Sequence, residues 1–212
     1  MTLIVHQHPH SSNAQKVLFL LAELGLEAEL RTVPLAVPRP DWHLAVNPLG
    51  GIPAIVLDGF QLAESNTILR FLAGRESDDA LYPADLADRA AVDWRLDALA
   101  TFLRPALFPI EIARFGLRPG LGLGAAPADH EGASAAFADA LPKLKQFEGL
   151  LDRSSPWACC GRFTIADIAA APVLYRVLRS GLPLAEIPRL AAWAAACSER
   201  PAWATVATDA GV

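Results

Sequence analysis

Apolar residues recur along most of this chain at helical spacing, and only near its start do they fall into short runs of strand type. Leu3 to His6 is the first such run, followed by a turn-like Pro9-His10-Ser11-Ser12. In the next segment Ala14, Val17, Leu18, Leu21 and Leu24 share one helical face. Asn13 reads as its N-cap and Gly25 as its left-handed C-terminal residue. Ala28 to Val33 predicts a second strand, and a strand, helix, strand opening implies parallel neighbours joined by a crossover helix. After a proline-rich stretch from Pro34 to Pro40, Asp41 to Val46 predicts a short helix. Ala54 to Leu57 and Phe60 to Leu62 predict a hairpin about Asp58-Gly59, and a helix from Ser65 to about Ala73 follows.

From Glu76 to Asp88 the chain turns to Asp, Ser, Pro and Tyr, and no strand pattern recurs beyond it. Arg89 to about Phe115, Asp129 to Leu151, Thr164 to Arg179, Pro188 to Cys197 and Pro201 to Ala207 all read as helices. Pro105 and Pro109 predict a kink or break in the first of these, because each removes an amide donor and crowds the preceding turn. The fold expected is α/β plus all-α: residues 1–76 as a small α/β domain, 77–88 as a linker and 89–212 as a helical domain.

Composition narrows the partners. Eighteen basic against 23 acidic side chains leave a net charge of −5, which offers no electrostatic footprint for nucleic acid or an anionic membrane surface. A mean hydropathy of +0.30 raises the question of a membrane, yet no apolar run approaches the ~20 residues that span hydrocarbon. No signal peptide is expected from the start of the chain. Three cysteines, Cys159, Cys160 and Cys197, lack metal-ligand spacing and suit a reducing cytoplasm.

Three strings carry candidate chemistry. Asn47-Pro-Leu-Gly-Gly-Ile-Pro53 packs two glycines and two prolines into seven residues directly before a strand, which imposes an unusual backbone path unless it is a plain loop. Glu64-Ser65 opens a helix, where free amides, a hydroxyl and the helix dipole favour a carboxylate; alone, the pair reads equally as a cap. Ser11-Ser12-Asn13 lies between the first strand and first helix, where ligands meet open α/β sheets. Ser11 has no adjacent base, so its expected role is donation to an anion rather than nucleophilic attack. Lowering a thiol pKa of about 8.5 by ~2 units needs ~2.7 kcal/mol. A charge-assisted hydrogen bond supplies ~1.5–3 kcal/mol, and a helix N-terminus adds ~0.3–1.

Other motifs point to structure. Thr164-Ile-Ala-Asp167 has the form of a capping box. His6, His8 and His10 alternate, but Pro9 interrupts them and no fourth ligand is evident, so no metal site is expected. Gly116 to Gly124 is glycine-rich without the spacing or lysine of a phosphate loop and reads as a mobile connector. Cys159-Cys160 is expected as two reduced thiols.

Taken together, Ser11-x-Asn13-x-x-Lys16-Val17, Glu23-Leu-Gly25, Asn47-Pro-x-Gly-x-Ile-Pro53, Glu64-Ser65 and Phe163-Thr-Ile-Ala-Asp167 resemble the cytosolic glutathione transferases over essentially the whole chain. The resemblance implies a thioredoxin-like N-terminal domain, a C-terminal helical bundle and a homodimer. It implies that Ile52 pairs its main chain with the cysteinyl unit of glutathione, with Pro53 cis, and that Glu64 and Ser65 hold the γ-glutamyl end. Ser11 would stabilise the thiolate, with Asn13 sharing it as in relatives that reduce disulfides. No tyrosine or cysteine occurs in residues 1–76, so tyrosine-type and cysteine-type mechanisms are excluded. Gly51 stands where the family often carries a cation for the glycine carboxylate, leaving His43 or Arg39 as substitutes or that end loosely held. The second substrate, a small hydrophobic electrophile, is expected against the helix bearing Phe102, Phe108, Glu111 and Arg114. A glutathione-dependent disulfide reductase and a non-catalytic glutathione-binding scaffold are the alternatives to a transferase.

Overall fold

In the computed structural model, which describes residues 2–207, the strands all fall before residue 64. Strand β1 (Leu3–Gln7) leads through a turn to helix α1 (Ser12–Leu24) and returns as β2 (Glu29–Thr32). A one-turn helix α2 (Asp41–Leu44) precedes the hairpin β3 (Ala54–Leu57) and β4 (Phe60–Ala63), and α3 (Ser65–Glu76) follows. The sheet order is β2-β1-β3-β4, with β1 parallel to β2 and antiparallel to β3. This is the thioredoxin-like arrangement, and everything after it is helical.

Helix α1 forms because its apolar stripe, Ala14, Val17, Leu20 and Leu21, is buried, and because both ends are capped. Ser11, not Asn13, is the N-cap: its hydroxyl accepts from the Ala14 amide at 3.3 Å, and the helix begins two residues earlier than expected. Gly25 ends it at φ 63°, where only a residue without Cβ is unstrained.

Helix α4 (Leu86–Ala98) runs into a π-helical turn over Leu99–Leu103 and then α5 (Arg104–Phe115), so the segment continues through both prolines. The expected break is absent because the hydrogen-bond ladder widens just before Pro105, which then occupies the first turn of α5. The remaining helices are α6 (His130–Glu148), α7 (Ile165–Leu178), α8 (Pro188–Ser198) and α9 (Pro201–Ala207). Helix α7 is apolar almost all round and buried, and its alanines let α1 and α8 approach closely on either side. One continuous core runs from Val5 and Ile55 through Phe19 and Leu72 to Ile168 and Trp193.

Two buried polar devices fix this packing. At the start of α7, Thr164 and Asp167 form the capping box, and the fully buried Asp167 carboxylate accepts from four donors. These are the amides of Ala158 and Thr164, both at 2.8 Å, the Thr164 hydroxyl at 3.2 Å and the Trp193 indole at 2.7 Å. Burial pushes this carboxyl up to about 6, against the pull of those donors. At the other end of α7, Arg176 joins Glu111 of α5 at 2.9 Å, and both are buried.

A third device ties β1 to α2. The His43 Nε2 lies 3.0 Å from the Gly51 carbonyl, which only accepts, so this nitrogen carries the proton. The bare His43 Nδ1 then accepts from His6 Nδ1–H at 3.0 Å, leaving His6 Nε2 buried and unpartnered. Burial first, then the neighbouring His43, lower the pKa of His6, so the folded protein holds it neutral.

Two outcomes follow. Asp167→Asn presents one acceptor oxygen and an NH2 group to four donors, and urea unfolding should show a loss of about 2–4 kcal/mol. His6 contributes stability that is intact above its unfolded pKa of 6.5 and falls as the pH drops below it, because the unfolded chain takes up the proton first. The stability advantage of the natural protein over His6→Asn, measured by thermal unfolding, should therefore shrink between pH 7.5 and pH 5.5; a constant difference would contradict a lowered pKa at His6.

Candidate functional site

The sheet register brings the candidate segments to one end of the molecule. His6 of β1 stands opposite Ala54 of β3, and Ala54 stands opposite Ala63 of β4. At that end β1 runs out toward Ser11, β3 enters from Ile52 and Pro53, and β4 runs out into Glu64 and Ser65. Segments far apart in sequence thus meet because three strands end in one row.

Ser11 caps α1 with its oxygen lone pair, and its own proton has no acceptor among the described residues. The hydroxyl is therefore free to donate beside the first-turn amides of α1. Asn13, in that first turn, is exposed and borders the same cavity as Ser11.

The Ile52–Pro53 bond is cis. No main-chain hydrogen bond among the described residues engages Ile52, so its amide and carbonyl remain available to an extended ligand at the margin of β3. The loop before it is held from inside: Asn47 donates to the Gly51 carbonyl at 2.9 Å, His43 bonds the same oxygen, and Arg39 donates to the Gly50 carbonyl at 3.1 Å. His43 is fully buried and so does not face a ligand; it positions the loop. Arg39 also spends its guanidinium on the carbonyls of Pro34 and Ala36.

Glu64 is exposed and adopts φ 68°, a left-handed conformation that costs a residue with a Cβ on the order of 1–3 kcal/mol. Its side chain caps nothing, which leaves the first-turn amides of α3 without a side-chain partner. Ser65 is buried beside it. Lys16 on α1 is buried, and burial first, then the charge of Arg104, push its pKa down to about 8 against the pull of Glu64.

On the helical side of Ser11 lies a cavity of about 210 Å³, bordered by Leu35, Phe108, Leu117 and the arginines Arg104, Arg118 and Arg176. Of the four helical residues singled out in the sequence, only Phe108 lines it. Phe102 borders a separate apolar hollow of about 420 Å³ with Trp94 and Phe147. Glu111 is fully buried as the counter-ion of Arg176 and Arg104, and Arg114 bonds the Ser180 carbonyl. The segment from Gly116 to Gly124 is not a loose connector: it folds on itself through an Arg118 to Gly122 bridge and walls the cavity.

Sequence reasoning did not single out Arg104 and Arg176 and quoted Lys16 only within the motif that follows Ser11, since each stands in a helix whose residues are mostly apolar. Cys159, Cys160 and Cys197 are free thiols whose pKa values burial raises, so none is disposed to act as a thiolate. His6 turns to His43 while His8 packs against His10, and no group of three metal-binding side chains gathers among the described residues. No helix among them is long and apolar enough to cross a membrane.

Comparison with known proteins agrees with this geometry. The family model for the glutathione S-transferase N-terminal domain matches residues 10–75, and that for the C-terminal domain matches residues 127–196. Glutathione S-transferase D7 of Anopheles gambiae is 30% identical over 203 residues, covering 94% of this chain and 87% of that protein. Glutathione S-transferase 3 of Zea mays is 33% identical over 206 residues, covering 92% and 88%. Among solved structures, the theta class enzyme of Xanthomonas axonopodis pv. citri with glutathione bound superimposes with a TM-score of 0.83 at 25% identity, over 100% of this chain and 99% of that one. With capped α1, the row of strand ends and two matched domains in the same order, the chain belongs to the glutathione S-transferase family.

Proposed function

We propose that this protein conjugates glutathione to a small electrophile, with the thiolate held by Ser11. The observation that carries the reading is the Ser11 hydroxyl, which caps α1 with its oxygen and keeps its proton for an incoming anion. Ile52 would pair its open main chain with the cysteinyl unit, Pro53 would set that turn, and Glu64 and Ser65 would receive the γ-glutamyl end. Hydrogen bonding at ~1.5–3 kcal/mol, helped by the α1 N-terminus, is sufficient to ionise most of the thiol at neutral pH. The reading divides the chain into a glutathione-binding domain at 1–76, a linker at 77–88 and a helical domain at 89–212 that supplies the second-substrate wall.

The relatives' names support transfer, and the exposed Phe60 on edge strand β4 and exposed Trp94 on α4 offer apolar surface suited to a homodimer. A cytoplasmic location accords with three free thiols. A second reading, glutathione-dependent disulfide reduction, is favoured by Asn13 sharing the Ser11 cavity. An aryl halide and a disulfide offered in parallel separate the two.

Ser11→Ala should lower kcat/KM for an aryl halide roughly 10- to 150-fold while glutathione binding, followed by calorimetry, changes less than about threefold. Equal losses in both would contradict the thiolate role. Binding of glutathione by the natural protein without turnover of either substrate would favour a scaffold.

A further inference from the structure

The cavity beside Ser11 is basic, and the charges around it do not balance. Arg176 lies almost wholly buried, with one guanidinium nitrogen 2.9 Å from Glu111 and another 3.1 Å from the His10 carbonyl; its Nε has no partner. Arg104 shares the same Glu111 carboxylate at 3.1 Å and lies over the Phe108 ring, 4.6 Å from its centre. Two guanidiniums thus draw on a single carboxylate. Arg118 reaches the cavity from the glycine-rich loop and makes no ion pair among the described residues, and no acidic side chain lines the cavity. Buried Lys16 lies outside the cavity lining, and its charge feels both Arg104 and Glu64.

The loop is shaped for this placement. Gly122 adopts φ 95°, and a Cβ there would stand 2.7 Å from His10 Nδ1 and 2.8 Å from Leu35, so only glycine lets the loop rest on the Ser11 turn. Leu35, Phe108 and Leu117 supply apolar walls between the arginines and Ser11. The largely buried pair Arg104 and Arg176 shares one carboxylate, and the exposed Arg118 stands at the cavity mouth; guanidiniums match a planar carboxylate with paired donors.

Resting on the glutathione-transfer reading, we propose that the second substrate is an acidic electrophile: a small molecule with an apolar body whose carboxylate is received by Arg118 and Arg104. The thiolate sulfur forms the new bond to the electrophilic carbon, and the leaving group departs with its electron pair. With 4-chloro-3,5-dinitrobenzoate as probe, the C–S bond replaces the C–Cl bond and chloride leaves.

Two measurements test this. The first is turnover of 4-chloro-3,5-dinitrobenzoate against its methyl ester, each divided by its uncatalysed rate with glutathione. The second needs no chemistry: calorimetric titration with unreactive 3,5-dinitrobenzoate and its methyl ester, in protein saturated with S-methylglutathione. The acid should bind at least tenfold more tightly than the ester and show the larger rate enhancement. Arg118→Gln, on an exposed side chain whose loss leaves the core intact, should reduce the acid-to-ester ratio at least fivefold. Equal binding of acid and ester, or an unchanged ratio in Arg118→Gln, would overturn the proposal even if neutral electrophiles are conjugated. Acid binding that S-methylglutathione abolishes would also overturn it, by assigning the arginines to glutathione itself. Failure of the protein to bind S-methylglutathione would instead refute the glutathione reading, and with it this one.

Discussion

The buried pairing of Arg176 with Glu111 holds the two halves of the molecule in their working relation. Arg176 sits at the end of α7 and Glu111 in α5, while the same guanidinium reaches the His10 carbonyl one residue before Ser11. A lone guanidinium at this depth is prohibitive, and removing either partner of such a pair typically costs about 3–5 kcal/mol. The pair is satisfied only when α5, α7 and the β1–α1 turn are all in register. The position of Ser11 is thereby set by helices lying a hundred or more residues downstream.

The sheet supplies the complementary constraint. One row of register, His6, Ala54 and Ala63, fixes where three segments leave or enter the strands. The hydrogen bonds from His43 and Asn47 to the Gly51 carbonyl then hold the loop before Pro53 to α2 and its own start. Asp167 does for α7 what the row does for the sheet, gathering four donors from three segments at one carboxylate.

Much of this was legible in the sequence, for local reasons. Strong periodicity and Gly25 marked α1, β-branched and apolar runs marked β1 and β3, and Thr164 with Asp167 announced the start of α7. The α1 cap was misplaced by two residues because Ser11, Ser12 and Asn13 are all good cap residues and only the backbone path distinguishes them. The helix around Pro105 continued because the π-helical turn depends on packing, which no local rule contains. His43 is one of two cations that the sequence offers for a carboxylate, and it is buried between His6 and Gly51, a contact across 37 positions that no local pattern carries. The basic cavity was hidden for a similar reason: Arg176 and His10 are 166 positions apart, and Arg104, Arg118 and Arg176 come from α5, the glycine-rich loop and α7.

The account stands or falls on the ionisation of the bound thiol. The direct measurement is the ultraviolet absorbance of the thiolate in the glutathione complex, titrated against pH for the natural protein and for Ser11→Ala. The bound thiol should titrate ~2 units below its free value of about 8.5, and most of that depression should vanish in the variant. A bound thiol that titrates at its free value, or one whose lowered pKa survives the loss of Ser11, would contradict it.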